Sequence, residues 1–144
     1  MRLRPANRQI EYYIGQIERK ELDLQPDFQR GEVWKVPKQQ LLIDTILRNW
    51  YIPPIHVIEN PEDASQEVLD GQQRLRAIYN FHENEFPIDG YTQPLDSDIK
   101  RLDGHFFTEL PPARQKRFLR FGITQYTLED FEPSEPAELF FRLN

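Results

Sequence analysis

The chain contains no cysteine, and its 144 residues include one methionine and three histidines. Without thiols, disulfides, thiolate catalysis and cysteine-ligated zinc sites are excluded, and a reducing intracellular setting suits the composition. The opening "MRLRPANRQI" lacks the apolar core of a secretory signal. No apolar run approaches membrane-spanning length, so the expected location is the cytoplasm and no membrane partner is expected. No segment repeats, none is of low complexity, and neither the glycine-rich Walker pattern nor GxGxxG occurs. Basic charge is also scarce. Lys and Arg number 18 against 24 Asp and Glu, a net charge of −6, which argues against a generic nucleic-acid coat built on clustered cations. One local cluster, Arg114, Lys116, Arg117 and Arg120, reads first as a solvated helix face. His56, His82 and His105 are scattered, and each reads as a surface or satisfied histidine rather than as part of a nuclease centre.

What is present reads as one domain over residues 1–144, long enough to bury about 70% of the surface its unfolded chain exposes. Asn7 is the expected cap of a first helix whose inward stripe is Ile10, Tyr13, Ile14 and Ile17. Leu22 and Leu24 mark an extended segment leading into an ordered loop, "QPDFQRGEVW". Pro37 suits the first turn of a second helix, with Leu42, Ile43, Ile46 and Leu47 inside. Ile55 to Glu59 and "QEVLD" read as two strands of a hairpin around the polar turn "NPEDAS". "QQRLRAIYNFHEN" follows as a third helix. "FPIDGYTQPLDSDIKRLDG" reads as a variable surface insertion. "PPARQKRFLRF" reads as a helix, "GITQYTLED" as a strand rich in β-branched and aromatic residues, and Ser134 as the cap of a last helix, "EPAELFFRL". That helix runs to Asn144 with its apolar pattern unfinished, so the chain is expected to be the N-terminal fragment of a longer protein.

The stretch that does not read as scaffold is "VLDGQQRLRAI". A strand, a glycine turn and a helix N-terminus together form a generic anion site, because the first helical N–H groups have no intrahelical acceptor and the helix dipole adds partial positive charge. Gly71 permits a tight turn and close approach of a ligand. Gln72 and Gln73 can donate or accept at the mouth, and Arg74 offers a planar fork suited to phosphate oxygens. Asp70 beside a phosphate is repulsive unless a cation intervenes, which points to Mg2+. The plainer alternative is an Asp-Gly turn in which Asp70 caps the helix while Gln73 and Arg74 face solvent. A second polar cluster, Gln25, Gln29, Arg30 and Trp34 around Pro26 and Phe28, adds weight to the first reading. Arg30 is there either a phosphate ligand or the partner of Asp27 or Glu32, and Phe28 and Trp34 read by default as core aromatics.

Four motifs in order, "QPDFQRGEVW", "LLIDTILRNWYIPPIHV", "VLDGQQRLRAI" and "LFFRLN", resemble the prokaryotic domain family named for its DGQQR motif. That family supplies the N-terminal domain of GmrSD-type modification-dependent restriction systems and related phage-defence proteins. The resemblance spans nearly the whole chain. It implies a ParB/sulfiredoxin-like α/β fold, a compact mixed sheet flanked by helices, and nucleotide binding and hydrolysis that regulate DNA cleavage by a separate nuclease domain. Carried over by residue, it places the phosphate site at Asp70, Gly71, Gln72, Gln73 and Arg74, lined by Gln29 and Arg30 and closed by Arg142 and Asn144. The sulfiredoxin cysteine is replaced by Gln72 or Gln73, so that redox chemistry is not available.

The mechanism expected is Mg2+-dependent hydrolysis of a nucleoside triphosphate. Backbone N–H groups of residues 72 to 74 and the Arg74 guanidinium would cradle phosphates, Asp70 would orient the attacking water, and Arg30 or Arg142 would stabilise the leaving oxygens. The assigned catalytic residues are Asp70, Gln73 and Arg74, and the metal ligands Asp70 and Asn144. Implied partners are a nucleoside triphosphate, DNA reached through a partner or a C-terminal nuclease domain and, as an option, a second copy in a homodimer. The rival readings are a nucleotide-gated switch without hydrolysis, a DNA-binding module that reads a modified base, and a purely structural domain.

Overall fold

A strand, not the expected helix, opens the chain. In the computed structural model, which describes residues 1–24 and 33–143, β1 (Arg2–Gln9) pairs antiparallel with β5 (Gly122–Glu129). Asn7 therefore lies within β1 opposite Thr124. Helix α1 (Ile10–Glu18) starts after Gln9 with no side-chain cap. The strand was hidden in the sequence because it is an edge strand lying mostly in solvent, so it carries no apolar alternation. Pro5 is tolerated there because an edge leaves one side of the ladder unpaired. Charge holds it instead: Arg2 and Arg4 both donate to the Glu129 carboxylate.

The sheet is completed by β2 (Leu22–Asp23), β3 (Ile55–Glu59) and β4 (Gln66–Asp70), in the order β1-β5-β3-β4-β2. β3 runs parallel to β5 and β2 parallel to β4, while β3 and β4 form the antiparallel hairpin read from the sequence. These strands, α1 and α6 (Glu135–Leu143) belong to one compact unit, made of Met1–Glu32, Pro53–Gln72 and Gly122–Asn144. Ile10, Tyr13 and Ile14 of α1 are buried. The Tyr13 hydroxyl donates to Gln125 Oε1 at 2.9 Å, and Gln125 Nε2 donates to Thr127 Oγ1 at 3.1 Å. These buried polar side chains are thereby satisfied by one another, and burial pushes the Tyr13 hydroxyl above its ordinary range. Phe140 of α6 closes on Leu69 and Leu128, with Ile58, Phe131 and Leu139 around them.

The second unit, Val33–Ile52 and Gln73–Phe121, is helical. It holds α2 (Val36–Leu47), most of α3 (Gln72–His82), α4 (Ser97–Lys100), a turn of 3-10 helix at Phe107–Glu109, and α5 (Pro112–Leu119). Pro37 sits in the first turn of α2, where its missing N–H leaves no gap in the helix. Leu42, Ile43 and Ile46 are buried and Leu47 half-buried. The Phe81 ring is the hub of the core, 5.7 Å from Phe86, 5.9 Å from Phe107 and 5.4 Å from Phe118 between centroids. The segment read as a surface insertion contributes to the interior: Phe86, Ile88, Ile99 and Leu102 are buried. Its apolar residues follow turns rather than a helical or strand period, which is why the pattern concealed them. Asp96 fixes α4 by accepting from the N–H groups of Asp98 and Ile99.

Among the described residues the fold is a mixed α/β arrangement of five strands and six α-helices. Among those residues no helix is long and apolar enough to cross a membrane.

Candidate functional site

The Asp-Gly-Gln-Gln-Arg motif spans a strand end, a glycine turn and a helix start. β4 ends at Asp70, Gly71 turns at φ +107°, and α3 begins at Gln72. That backbone angle lies in the region L side chains rarely adopt, so the turn needs its glycine. Asp70, Gly71 and Gln72 close a segment of the first unit, and Gln73 and Arg74 open a segment of the second.

The two glutamines, read from the sequence as lining the mouth of the turn, have other engagements. Gln72 is 1% exposed, and its Nε2 donates to the Val68 carbonyl at 2.9 Å and the Leu69 carbonyl at 3.3 Å. It ties the helix start back to the strand end. Gln73 accepts the Trp34 N–H on its Oε1 at 3.1 Å. The Trp34 carbonyl in turn accepts from Gln39 Nε2 at 3.0 Å, and Gln39 Oε1 accepts from Asn80 Nδ2 at 3.1 Å. Trp34 is thus held at both ends of its backbone, and its half-buried ring lies 4.7 Å from Lys38 Nζ. Gln39 and Asn80 were missed in the sequence, although Gln39 shares the i, i+3, i+4, i+7 stripe of Leu42, Ile43 and Ile46. A polar residue on a core stripe is the signal that could have found it.

Asp70 is re-aimed by a β-bulge. In the β3–β4 hairpin Val57 faces Val68, and the next pair is His56 with Asp70. β3 advances one residue where β4 advances two, so Leu69 is the extra one, drawn into the cluster with Leu128 and Phe140. Bulges of this kind redirect the side chains beside them. Asp70 Oδ2 comes to 3.9 Å from His56 Nδ1, and the Asp70 side chain is 20% exposed. The His56 ring is buried and stacks on Tyr126 with centroids 5.4 Å apart and 29° between planes. A regular hairpin would have set His56 against Leu69, so sequence register alone pointed away from this pair.

The remaining expected residues are placed separately. Arg74 is half-buried in the first turn of α3. Arg142 is exposed in the last turn of α6 and donates to Glu138 one turn earlier, at 2.9 Å. Gln29, Arg30 and Asn144 lie outside the described residues, as do Gln25, Pro26, Asp27, Phe28 and Glu32. Magnesium fits the donor chemistry in a limited way. Asp70 offers a hard, partly exposed carboxylate, and among the described residues no cluster of three potential metal ligands includes it. One carboxylate with the balance supplied by phosphates and water is a normal magnesium arrangement, whereas an all-protein cage is not present at Asp70 among those residues.

No curated protein and no solved structure matches the chain. Residues 10–144 match the family model described as the GmrSD restriction endonuclease N-terminal domain, and the chain belongs to that restriction-associated family.

Proposed function

We propose that this domain binds a nucleoside triphosphate at the turn between β4 and α3, hydrolyses it, and thereby regulates DNA cleavage by a separate nuclease domain. The observation that carries the reading is the turn itself: a strand end, Gly71 at φ +107°, and a helix beginning one residue later. Backbone amides at such a helix start favour a polyphosphate through both hydrogen bonding and the dipole. Gln72 contributes through its backbone, because its side chain is committed to Val68 and Leu69. Arg74 supplies charge-assisted hydrogen bonds to phosphate oxygens. Gln73 acts at one remove, holding Trp34 and the end of the "QPDFQRGEVW" motif. Asp70 orients the attacking water, and Arg30, Arg142 and Asn144 complete the site in this reading. Asp70 would also hold Mg2+, which supplies neutralisation of phosphate charge when bound. The mixed sheet supports assigning the domain to the ParB/sulfiredoxin-like architecture.

The direct test is a thermal-shift series with each of the four ribonucleoside triphosphates and Mg2+, followed by single-turnover phosphate release. A ligand that binds only the folded state raises the melting temperature as its concentration exceeds its dissociation constant. A shift with phosphate release supports binding and hydrolysis. A shift without release leaves a nucleotide-gated switch, and no shift with any nucleotide removes the phosphate site.

One observation favours a second reading, a DNA-binding module. The second unit carries eleven basic and eight acidic residues, net +3, and α5 with its C-cap exposes Lys116, Arg117 and Arg120. Binding to plain and modified duplexes over a salt series distinguishes the two. A steep salt slope indifferent to nucleotide favours the DNA reader.

A further inference from the structure

We infer that His56 is a positioning residue for Asp70, with its ring seated on Tyr126 and its Nδ1 set against the carboxylate. The inference rests on the reading of Asp70 as the group that orients the attacking water. Two local departures from ordinary sheet design coincide at this point. The first is a histidine buried in an otherwise apolar run, Ile55, Val57 and Ile58, where a branched aliphatic side chain would avoid the cost of desolvating a ring nitrogen. The second is the bulge between His56 and Val57, which interrupts the hairpin ladder where Asp70 needs to face His56. Together they bring one nitrogen to 3.9 Å from one carboxylate oxygen. Departures from local consistency of this sort gather at functional sites.

The geometry also says how His56 acts. A separation of 3.9 Å exceeds hydrogen-bond length, so this nitrogen does not itself lock the carboxylate. Contacts of this kind often tighten only when substrate is bound. The ring itself has little freedom, because the parallel register of β3 and β5 places His56 beside Tyr126 and the two rings stack. The sheet therefore holds the histidine at the position from which it faces the carboxylate.

Two substitutions separate the nitrogen from the ring. His56→Phe keeps the stack and removes Nδ1, whereas His56→Asn keeps an N–H donor at the position of Nδ1 and gives up the stack. Both would be compared with the unaltered chain for triphosphate affinity and single-turnover phosphate release with Mg2+, using whichever ribonucleoside triphosphate gives the largest thermal shift. The Phe variant is expected to slow turnover about 10- to 100-fold, the scale of a misplaced reacting group, with affinity within about twofold. The Asn variant is expected to recover most of that loss. In an Asp70→Ala background, His56→Phe should cause no further loss, because the two residues act as one unit. Turnover by the Phe variant equal to that of the unaltered chain, an Asn variant slower than the Phe variant, or additive losses with Asp70→Ala would each overturn the inference. Those outcomes leave the hydrolysis reading intact. An unaltered chain that binds triphosphate without releasing phosphate overturns both, and is recognised before any variant is made.

Discussion

The two units of this chain differ in charge, in secondary structure and in how they treat a carboxylate. The sheet unit carries seven basic and sixteen acidic residues, net −9, whereas the helical unit carries a net +3. The DGQQR motif spans one of the four places where the chain passes from one unit to the other: Asp70 is the last acid of one segment and Arg74 the first base of the next. In the sheet unit, the Arg4 and Arg2 hydrogen bonds hold the Glu129 carboxyl below the usual range at the solvent-exposed edge. In the helical unit, burial pushes Asp44 above that range even though Arg48 pulls it back. The contrast teaches that an ion pair can serve opposite ends. One fastens an edge that has no apolar face, and the other occupies interior space that an apolar pair could fill.

The largest effect is expected from the interior pair. The carboxylate of Asp44 and the guanidinium of Arg48 lie 2.8 Å apart with side chains 4% and 7% exposed. Arg48 also donates to the Thr92 carbonyl and sits 5.1 Å from the Trp50 ring. Asp44→Ala leaves a buried cation without its partner and should destabilise by about 3–5 kcal/mol. Urea unfolding followed by tryptophan fluorescence reads this in the right place, because both tryptophans, Trp34 and Trp50, belong to the helical unit. Combining Asp44→Leu with Arg48→Met in one chain should recover much of the loss, since well-packed apolar residues often substitute for a buried ion pair. A loss in the single variant no larger than that of an ordinary surface substitution would show that the pair is not what organises this unit.

Next in size is the difference between the two ends of the motif. Arg74→Ala should weaken triphosphate binding about 10- to 100-fold, the range for hydrogen bonds to charged groups. Asp70→Ala should cost less in affinity than in phosphate release, because orienting water is needed only for turnover whereas phosphates and water supply most of the magnesium ligands. Calorimetry with the triphosphate and Mg2+, set beside single-turnover release, reads the two separately. Equal loss of binding and turnover in the Asp70 variant would strip it of any role in the reaction.

Much of this was legible beforehand, and the exceptions share a cause. The β3–β4 hairpin, the α2 and α3 stripes and the Gly71 turn follow from local pattern and turn chemistry, and the structure has them where the pattern put them. β1 was illegible because its stability comes from a strand far along the chain, β5, and from Glu129, neither of which leaves a mark on residues 2–9. At the motif, the residue types were readable but their engagements were not. Gln72 and Gln73 look alike in the sequence, yet one bonds back to the strand before it and the other to Trp34, 39 residues away. His56 reads in the sequence as a surface or satisfied histidine because only the bulge at Leu69 turns Asp70 toward it.

The smallest expected effect tests the edge. Glu129 is lowered by Arg4 and Arg2, so the folded state holds its charged form more firmly than the unfolded chain does. The sign follows from linkage: the contribution is fully present above the ordinary carboxylate range and is lost as pH falls through the lowered folded value. Asp44 runs the other way. Its raised value means that the folded state takes up a proton first, so acidification favours folding at that residue until the unfolded carboxylate is protonated too. Hydrogen exchange of the β1 amides, measured against those of β3 as pH is lowered through the carboxylate range, should therefore show β1 losing protection first. Glu129→Gln should start with the lower protection and show no such step, a few-fold effect in keeping with an exposed ion pair. If β1 in the unaltered chain keeps its protection through that range, its attachment owes little to Glu129. The backbone ladder to β5 would then be sufficient to hold an almost wholly solvated strand.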